Sequence, residues 1–270
     1  MKSEIYFEMD GEFRIQISDR DVIYAKRIAF ELYPQKAPIV FIHDSLGSIE
    51  IWRDFPELVS QYCQRPCFVY DRRGYGRSSP TNPSKSATFI SDEADFLVNS
   101  LLAQLKIEKY ILLGHSVGGA MAYEAAKIAK QKCQAVISIS AQSFVEELTL
   151  SGIKKAKTVY NSEEMLKRLE KYHPHTAKDV LEAWINTWLS QEFQDWTLQS
   201  TLNKVFCPAL IIHGDHDEYG SLQHAIRIET ALSSKIKKLH LLKNQGHVPH
   251  REDPDKIAME IHHFLNEIAL

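Results

Sequence analysis

The stretch YILLGHSVGGAMAY, residues 110–123, decides how this chain is organised. It begins with an apolar run typical of a buried strand and ends in small and apolar residues that favour a helix. Between the two lies Gly114-His115-Ser116-Val117-Gly118, a G-x-S-x-G pattern. A tight strand-to-helix turn of this kind strains the backbone of its central residue, and the flanking glycines let neighbouring segments pass. The pattern predicts that Ser116 is a nucleophile, presented at a helix N-terminus where backbone N–H groups favour an anion.

Two phosphate-binding loops are excluded for the same turn. A P-loop needs G-x-x-x-x-G-K-[ST], whereas Gly119 is followed by Ala120 and Met121. A dinucleotide-binding turn needs G-x-G-x-x-G, and residue 116 is serine. The turn is therefore interpreted as one that exposes a side chain rather than one that cradles a phosphate.

The strand-then-helix pattern repeats on both sides of this turn. Alternating residues at 13–18 and 22–30 first predict two antiparallel strands. Strands are then predicted at 39–43, 67–71, 110–113, 135–141, 209–213 and 237–242, and helices at 50–63, 91–106, 118–130, 221–232 and 254–268. Repeated βα units predict an α/β fold: a mostly parallel central sheet flanked by helices on both faces.

The alternation stops in the middle of the chain. Residues 144–203 contain no convincing strand and predict helices around 162–171, with Ser162 as N-cap, and 176–189. The predicted organisation is a core made of residues 1–144 and 205–270, with a helical insertion at 145–204.

Composition limits the classes of protein to consider. The chain has 270 residues, 44% of them hydrophobic, with a net charge of −3 and a pI near 6.5, so we expect a large core and no nucleic-acid partner. The uncharged apolar-rich stretches 110–123 and 133–145 are shorter than the roughly 20 residues of a spanning helix, and the first ten residues lack the apolar run of a secretory signal. Four cysteines are too few for a disulfide framework. These features predict a cytoplasmic protein without a membrane partner.

The glycines point to one edge of the sheet. Nine of the eleven glycines, all except Gly11 and Gly152, follow a predicted strand within a few residues. They therefore lie at the carboxyl ends of the strands, where open parallel sheets bind ligands.

A serine nucleophile needs a base, and the base needs an orienting acid. His247 follows the last predicted strand, at the same edge as Ser116, while its nearest competitor, His250, falls toward the final helix. The loop after the penultimate strand offers Asp215, Asp217 and Glu218 as acids. The residues alone leave the acid open.

A metal site is an alternative interpretation of these histidines. His213-x-x-His216 and His247-x-x-His250 resemble two ligand pairs, but neither contains the glutamate of H-E-x-x-H, and His213 lies in a strand while His216 lies in a loop. We therefore expect no metal and no cofactor.

Five motifs together make the sequence similar to the α/β-hydrolase superfamily over nearly its whole length. They are HDSLGS at 43–48, YDRRGYGRS at 70–78, GHSVGG at 114–119, HGDHDEYG at 213–220 and QGHVPH at 245–250. The resemblance implies that Ser116 is the nucleophile, His247 the base and Asp217 the acid. It also implies that residues 145–204 form the cap that covers the site in this family.

The same resemblance implies an oxyanion hole made by the backbone N–H groups of Ser45 and Val117. The chain departs from the family at Asp44, where the usual residue is glycine. A carboxylate aimed at the oxyanion would oppose catalysis, so we expect the Asp44 side chain to turn away by accepting a hydrogen bond from the amides of Ser45 and Leu46.

The resemblance implies a serine hydrolase of the carboxylic ester hydrolase type. We expect a small, apolar or aromatic ester, lactone or related substrate, and an acyl-enzyme intermediate. The alternatives are an acyltransferase, a cofactor-free haloperoxidase and a ligand receptor with little turnover. Whether the chain forms a homo-oligomer stays open. Most aromatic side chains of the insertion are expected to be core rather than pocket; they are Tyr160, Tyr172, Trp184, Trp188, Phe193 and Trp196.

Overall fold

A central sheet of eight strands organises the protein. The computed structural model describes residues 10–81, 83, 86–160 and 162–270. The strand order across the sheet is β1-β2-β4-β3-β5-β6-β7-β8. The strands are β1 (Gly11–Ser18), β2 (Asp21–Ile28), β3 (Ile39–Ile42), β4 (Cys67–Tyr70), β5 (Tyr110–His115), β6 (Cys133–Ile139), β7 (Ala209–Gly214) and β8 (Lys237–Leu242).

The predicted fold class is confirmed. β1 and β2 form the expected antiparallel hairpin, β2 pairs antiparallel with β4, and all other neighbours are parallel. The central strands are continuous apolar runs because both of their faces are covered by helices. In β3, Val40 and Ile42 belong to one buried cluster while Ile39 and Phe41 belong to the other.

The helices cover both faces of this sheet. They are α1 (Ile49–Trp52), α2 (Phe55–Cys63), α3 (Phe89–Phe96), α4 (Val117–Ala129), α5 (Glu147–Tyr160), α6 (Glu163–Glu170), α7 (Ala177–Trp188), α8 (Gln199–Leu202), α9 (Gln223–Ala231), α10 (Pro249–Glu252) and α11 (Pro254–Glu267). α2 and α11 pack side by side on one face, and α3 and α4 pack on the other. The carboxyl edge of the sheet lies between these two layers.

Two predicted helices differ from the observed ones. The helix expected at 50–63 is interrupted at Arg53, whose φ of 55° is outside the helical region. Pro56 lies in the first turn of α2, the position where a missing N–H costs least, so a new helix starts just before it. The helix expected at 91–106 begins as α3 and continues as a π-helical segment, Leu97–Leu102.

α5–α8 lie between β6 and β7 in the chain, where the helical insertion was predicted. Ser162 caps α6 as expected, since its side chain accepts a hydrogen bond from the backbone N–H of Met165. α5 was not predicted because Gly152 and a run of polar residues hide its period; only Thr149, Ile153 and Ala156 are buried. The grouping of these helices as a separate cap stays a prediction.

An aromatic cluster holds part of this insertion together. The rings of Trp188 and Phe193 have centroids 5.0 Å apart, and those of Phe193 and Trp196 are stacked at 5.3 Å. Trp188 and Phe193 are fully buried. These aromatics are core, as expected. Over the described part of the chain, no helix combines the length and the apolar character needed to cross a bilayer.

The cluster generates a stability prediction. Trp188→Ala should lower the free energy of unfolding by about 3–5 kcal/mol, because it removes a buried ring and leaves a cavity. Tyr172→Ala, a change at a partly exposed aromatic of the same insertion, should cost less than about 1 kcal/mol. Urea unfolding followed by circular dichroism measures both. Similar losses in the two variants would show that Trp188 does not anchor this packing.

Candidate active site

Ser116 lies at the junction of β5 and α4, as the sequence predicts. Its backbone has φ 56° and ψ −125°, a conformation that L residues rarely adopt. The Ser116 N–H donates to the carbonyl oxygen of Ile139 at 2.9 Å, which fixes the turn against β6. The strained turn thus places the serine side chain at the carboxyl edge of the sheet.

Two flanking glycines make this turn possible. A Cβ at Gly114 would lie 2.1 Å from the carbonyl oxygen of Gly118, and a Cβ at Gly118 would lie 2.2 Å from that of Ile42. Both contacts are with backbone, so no side-chain movement could relieve them. The G-x-S-x-G spacing therefore reflects packing between β3, β5 and α4.

The structure brings the three predicted residues together. His247, in the loop after β8, has Nε2 3.0 Å from Ser116 Oγ. Its other ring nitrogen, Nδ1, lies 2.8 Å from both carboxylate oxygens of Asp217. All three side chains are buried. A hydroxyl, an imidazole and a carboxylate in this order can move a proton from the serine to the histidine.

The surroundings of Asp217 separate it from the other candidate acids. Its Oδ1 also accepts the backbone N–H groups of Tyr219 and Gly220, at 2.8 and 3.0 Å. Asp215 is exposed and instead accepts the N–H of Asn244. Glu218 accepts the backbone N–H of His247 and does not contact its ring. Of the three acids, Asp217 is the one in contact with the imidazole.

The electrostatics of the pair are those of a base with its counter-ion. Burial alone would lower the pKa of His247, but the charge and hydrogen bond of Asp217 outweigh it, so this pKa is raised above its usual value. Burial alone would raise the pKa of Asp217, and the charge of His247 holds it below its usual value instead. The arrangement favours an imidazolium next to a carboxylate.

The competing histidines occupy other positions. His250 is buried in α10, where its ring packs against His115 and Trp52 with centroids 4.6 and 4.9 Å away. His213 lies 3.4 Å from Asp217, while His216 is exposed. Among the described residues, no three His, Cys, Asp or Glu side chains form a group that could hold a metal ion.

Ser45 and Val117 flank Ser116 as the resemblance implies. Val117 is the first residue of α4, so its N–H has no intrahelical acceptor. Ser45 lies in the loop after β3 and lines the same pocket as Ser116. Within the described residues, neither amide donates to a protein acceptor. Both are therefore available to an oxygen at this position.

The predicted hydrogen bond from the Asp44 carboxylate to the following amides is not formed, so this prediction is wrong. Its carboxylate does not bind the amides of Ser45 and Leu46; Oδ2 lies 3.4 Å from Nδ1 of His115. The other ring nitrogen of His115 lies 2.8 Å from the carbonyl oxygen of His247. Burial alone would raise the pKa of Asp44, but the hydrogen bond and charge of His115 hold it well below its usual value. A contact with a histidine distant in the sequence replaces the local turn that the sequence suggested.

Ser116 opens into a pocket of about 210 Å³. Trp184 and Tyr160 of the insertion line it, together with Tyr219, so part of the aromatic set faces the site rather than the core. Arg251 and Gln142 also line the pocket and were not identified from the sequence. Arg251 follows the QGHVPH motif directly, which was the available signal for it.

Several known proteins are similar to this chain in sequence. The model of the α/β hydrolase fold family matches residues 37–157. The chain is 28% identical over 109 residues to rat "1-acylglycerol-3-phosphate O-acyltransferase ABHD5", covering 40% of this chain. It is 29% identical over 203 residues to human "Serine hydrolase BPHL", covering 73% of this chain. These matches span 30% of the rat protein and 68% of the human one.

Solved structures show the same fold. A bacterial membrane phospholipase A superposes with a TM-score of 0.77 at 18% identity, covering 96% of this chain and 87% of that one. The eight-stranded sheet, the strained serine turn and the family match lead to one conclusion. This chain has the α/β-hydrolase fold, and over residues 37–157 its sequence is similar to that family.

Proposed function

We propose that the protein is a serine hydrolase that cleaves a small carboxylic ester, lactone or related acyl compound. The observation that carries this proposal is the continuous contact from Ser116 Oγ through His247 to Asp217, at 3.0 and 2.8 Å, at the wall of a pocket. The described relatives include a protein named as a serine hydrolase, which supports the same class.

The residues have separate roles in this mechanism. Ser116 attacks the substrate carbonyl while His247 Nε2 takes its proton, and Asp217 holds the ring and stabilises the imidazolium. The amides of Ser45 and Val117 donate to the oxyanion. His247 then protonates the leaving group, leaving an acyl group on Ser116. Finally, His247 takes a proton from water, which attacks the acyl-enzyme and releases the acid.

The pocket favours a small substrate. Its volume of about 210 Å³ lies below the roughly 300–1,000 Å³ typical of drug-sized ligand sites. Trp184 and Tyr160 offer aromatic surface, which suits an apolar or aromatic acyl or alcohol group. A panel of p-nitrophenyl esters of increasing acyl length tests this, and we expect acetate and butyrate to be preferred over decanoate.

Acyl transfer to an acceptor other than water is the second candidate. Ser116 and His247 are 4% and 8% exposed, so water reaches the acyl-enzyme only through the pocket. The rat relative is named as an acyltransferase, although the match covers under a third of it. Product analysis in the presence of a small alcohol decides: ester formation supports transfer, and free acid alone supports hydrolysis.

The other expectations carry over as proposals. The described cysteines, Cys63, Cys67, Cys133 and Cys207, are free thiols. A reducing, cytoplasmic compartment is consistent with them. We propose a small molecule as substrate, and the mechanism above requires no cofactor.

Ser116→Ala should abolish the activity and preserve the fold. Alanine removes the attacking oxygen without adding bulk, so kcat/KM should fall on the order of 10⁴-fold. Steady-state assays with the best ester measure the loss, and circular dichroism checks the fold. A fluorophosphonate should label the unchanged protein at Ser116. More than a tenth of the activity remaining in the variant contradicts the assignment.

Substitutions of the two loop aspartates should differ clearly in their effect on kcat/KM. Asp217→Asn should lower kcat/KM by about 10³–10⁴-fold, because the amide cannot stabilise the imidazolium. Asp215→Asn is the matched control; it changes an exposed carboxylate two residues away and should stay within about threefold. Comparable rates in the two variants would leave Asp217 without the proposed role.

The pH dependence follows from the raised pKa of His247. The base must be neutral to accept a proton, so kcat/KM should fall at acid pH with an apparent pKa above 6.5. Asp217→Asn removes the charge that raises this pKa, so the residual activity should fall off at lower pH than in the unchanged protein. A profile of kcat/KM from pH 4 to 9 shows the shift, and Asp215→Asn should leave the profile unmoved.

A further inference from the structure

His173 is a fully buried histidine that the mechanism does not use. It lies in the connection between α6 and α7, within the helical insertion, and has no exposed surface. Its Nδ1 accepts the backbone N–H of Gly76 at 2.9 Å, and its Nε2 lies 3.0 Å from the carbonyl oxygen of Leu46. A carbonyl can only accept, so Nε2 carries the hydrogen and Nδ1 does not.

The Leu46 contact reaches the loop that holds the Ser45 amide. This loop is tightly built: a Cβ at Gly47 would lie 2.4 Å from Asp44 Oδ1. Arg72 holds its other side by donating from Nη2 to the carbonyl oxygen of Asp44 at 2.8 Å. In this loop, Arg72 of the core therefore holds the Asp44 carbonyl, and His173 of the insertion holds the Leu46 carbonyl.

The ring of His173 is also fixed in place. It packs edge-on against Tyr75 with centroids 5.9 Å apart, and Tyr75 in turn carries Arg72 over its face at 4.0 Å. Burial lowers the pKa of His173, which keeps the neutral form that can accept from Gly76. The two supports of the loop therefore belong to one packed unit.

We propose that His173 is a positioning residue that aims the Ser45 N–H at the oxyanion. This inference rests on the proposed serine mechanism. The Leu46 carbonyl belongs to the Leu46–Gly47 peptide unit, two units after the Asp44–Ser45 unit that carries the Ser45 N–H. With Asp44 held by Arg72, the hydrogen bond to His173 fixes the other end of this short segment and so limits the rotations that set the direction of the Ser45 amide. A displaced donor stabilises the oxyanion less while the substrate still enters the pocket. The expected effect is therefore on kcat rather than on KM.

Two substitutions of His173 distinguish the contributions of the hydrogen bonds made by its two ring nitrogens. Gln places its amide near the position of Nε2, so His173→Gln can still donate to Leu46. Asn places its amide near Nδ1, so His173→Asn can still accept from Gly76 but does not reach Leu46. We expect His173→Asn to lower kcat by about 10–30-fold with KM within about threefold, and His173→Gln to retain kcat within about threefold. One full oxyanion donor is worth about 10²–10³-fold, and a misdirected one should cost less.

His175→Asn provides the matched control, because it makes the same change at an exposed histidine two residues away. A second readout is the inhibition constant of a trifluoromethyl ketone, whose tetrahedral adduct uses the oxyanion donors. This inhibition constant should rise in His173→Asn in proportion to the loss of kcat, and it should stay unchanged in His175→Asn. Thermal melting reports any loss of fold.

Three results would overturn the proposal. These are unchanged kcat in His173→Asn, equal losses in the Asn and Gln variants that follow the melting temperature, and a loss confined to KM. The proposed function is tested separately by Ser116→Ala. If that variant remains active, the serine mechanism fails; if it is inactive while His173→Asn is normal, only the positioning role fails.

Discussion

The close approach of three backbone segments below Ser116 is the constraint on which the site depends. Gly118 at the start of α4 packs against the carbonyl oxygen of Ile42 at the end of β3, and Gly114 packs against Gly118. Side chains at either position would separate β3, β5 and α4. Because the segments touch, Ser116 is forced to a positive φ, and the loop that follows β3 lies beside the first turn of α4. These two contacts therefore set the position of both the hydroxyl and the two amides that flank it.

The fold could be predicted because its signals are local. Continuous apolar runs such as that of β7 and the period of α11 identify elements without knowledge of their neighbours, and their observed ends agree within a few residues. The errors have equally local causes. Pro56 starts a second helix inside the one expected, and Gly152 obscured α5, which is held by three buried side chains. Propensity is a weak guide where a helix is stabilised by few contacts.

The site could be predicted only in part. Ser116 and His247 follow from the glycine spacing and from strand order, but the choice of Asp217 over Asp215 needed the family resemblance. What the sequence did not indicate are contacts between distant segments. His173 meets Leu46 across 127 residues, and the Asp44 carboxylate, in the loop after β3, meets His115 at the end of β5. Such pairs depend on how the strands and the inserted helices pack, and no local pattern encodes them.

The geometry suggests how a carboxylate at Asp44 can be accommodated close to the site of the oxyanion. A free carboxylate about 5 Å from a developing oxyanion would oppose it by about 3 kcal/mol at an effective dielectric of 20. Here Asp44 faces His115, which donates toward it and also contacts the His247 carbonyl oxygen. The charge of Asp44 also adds to that of Asp217 in raising the pKa of His247. On the proposed mechanism, we attribute the tolerance of an aspartate at this position to the contact of its carboxylate with His115.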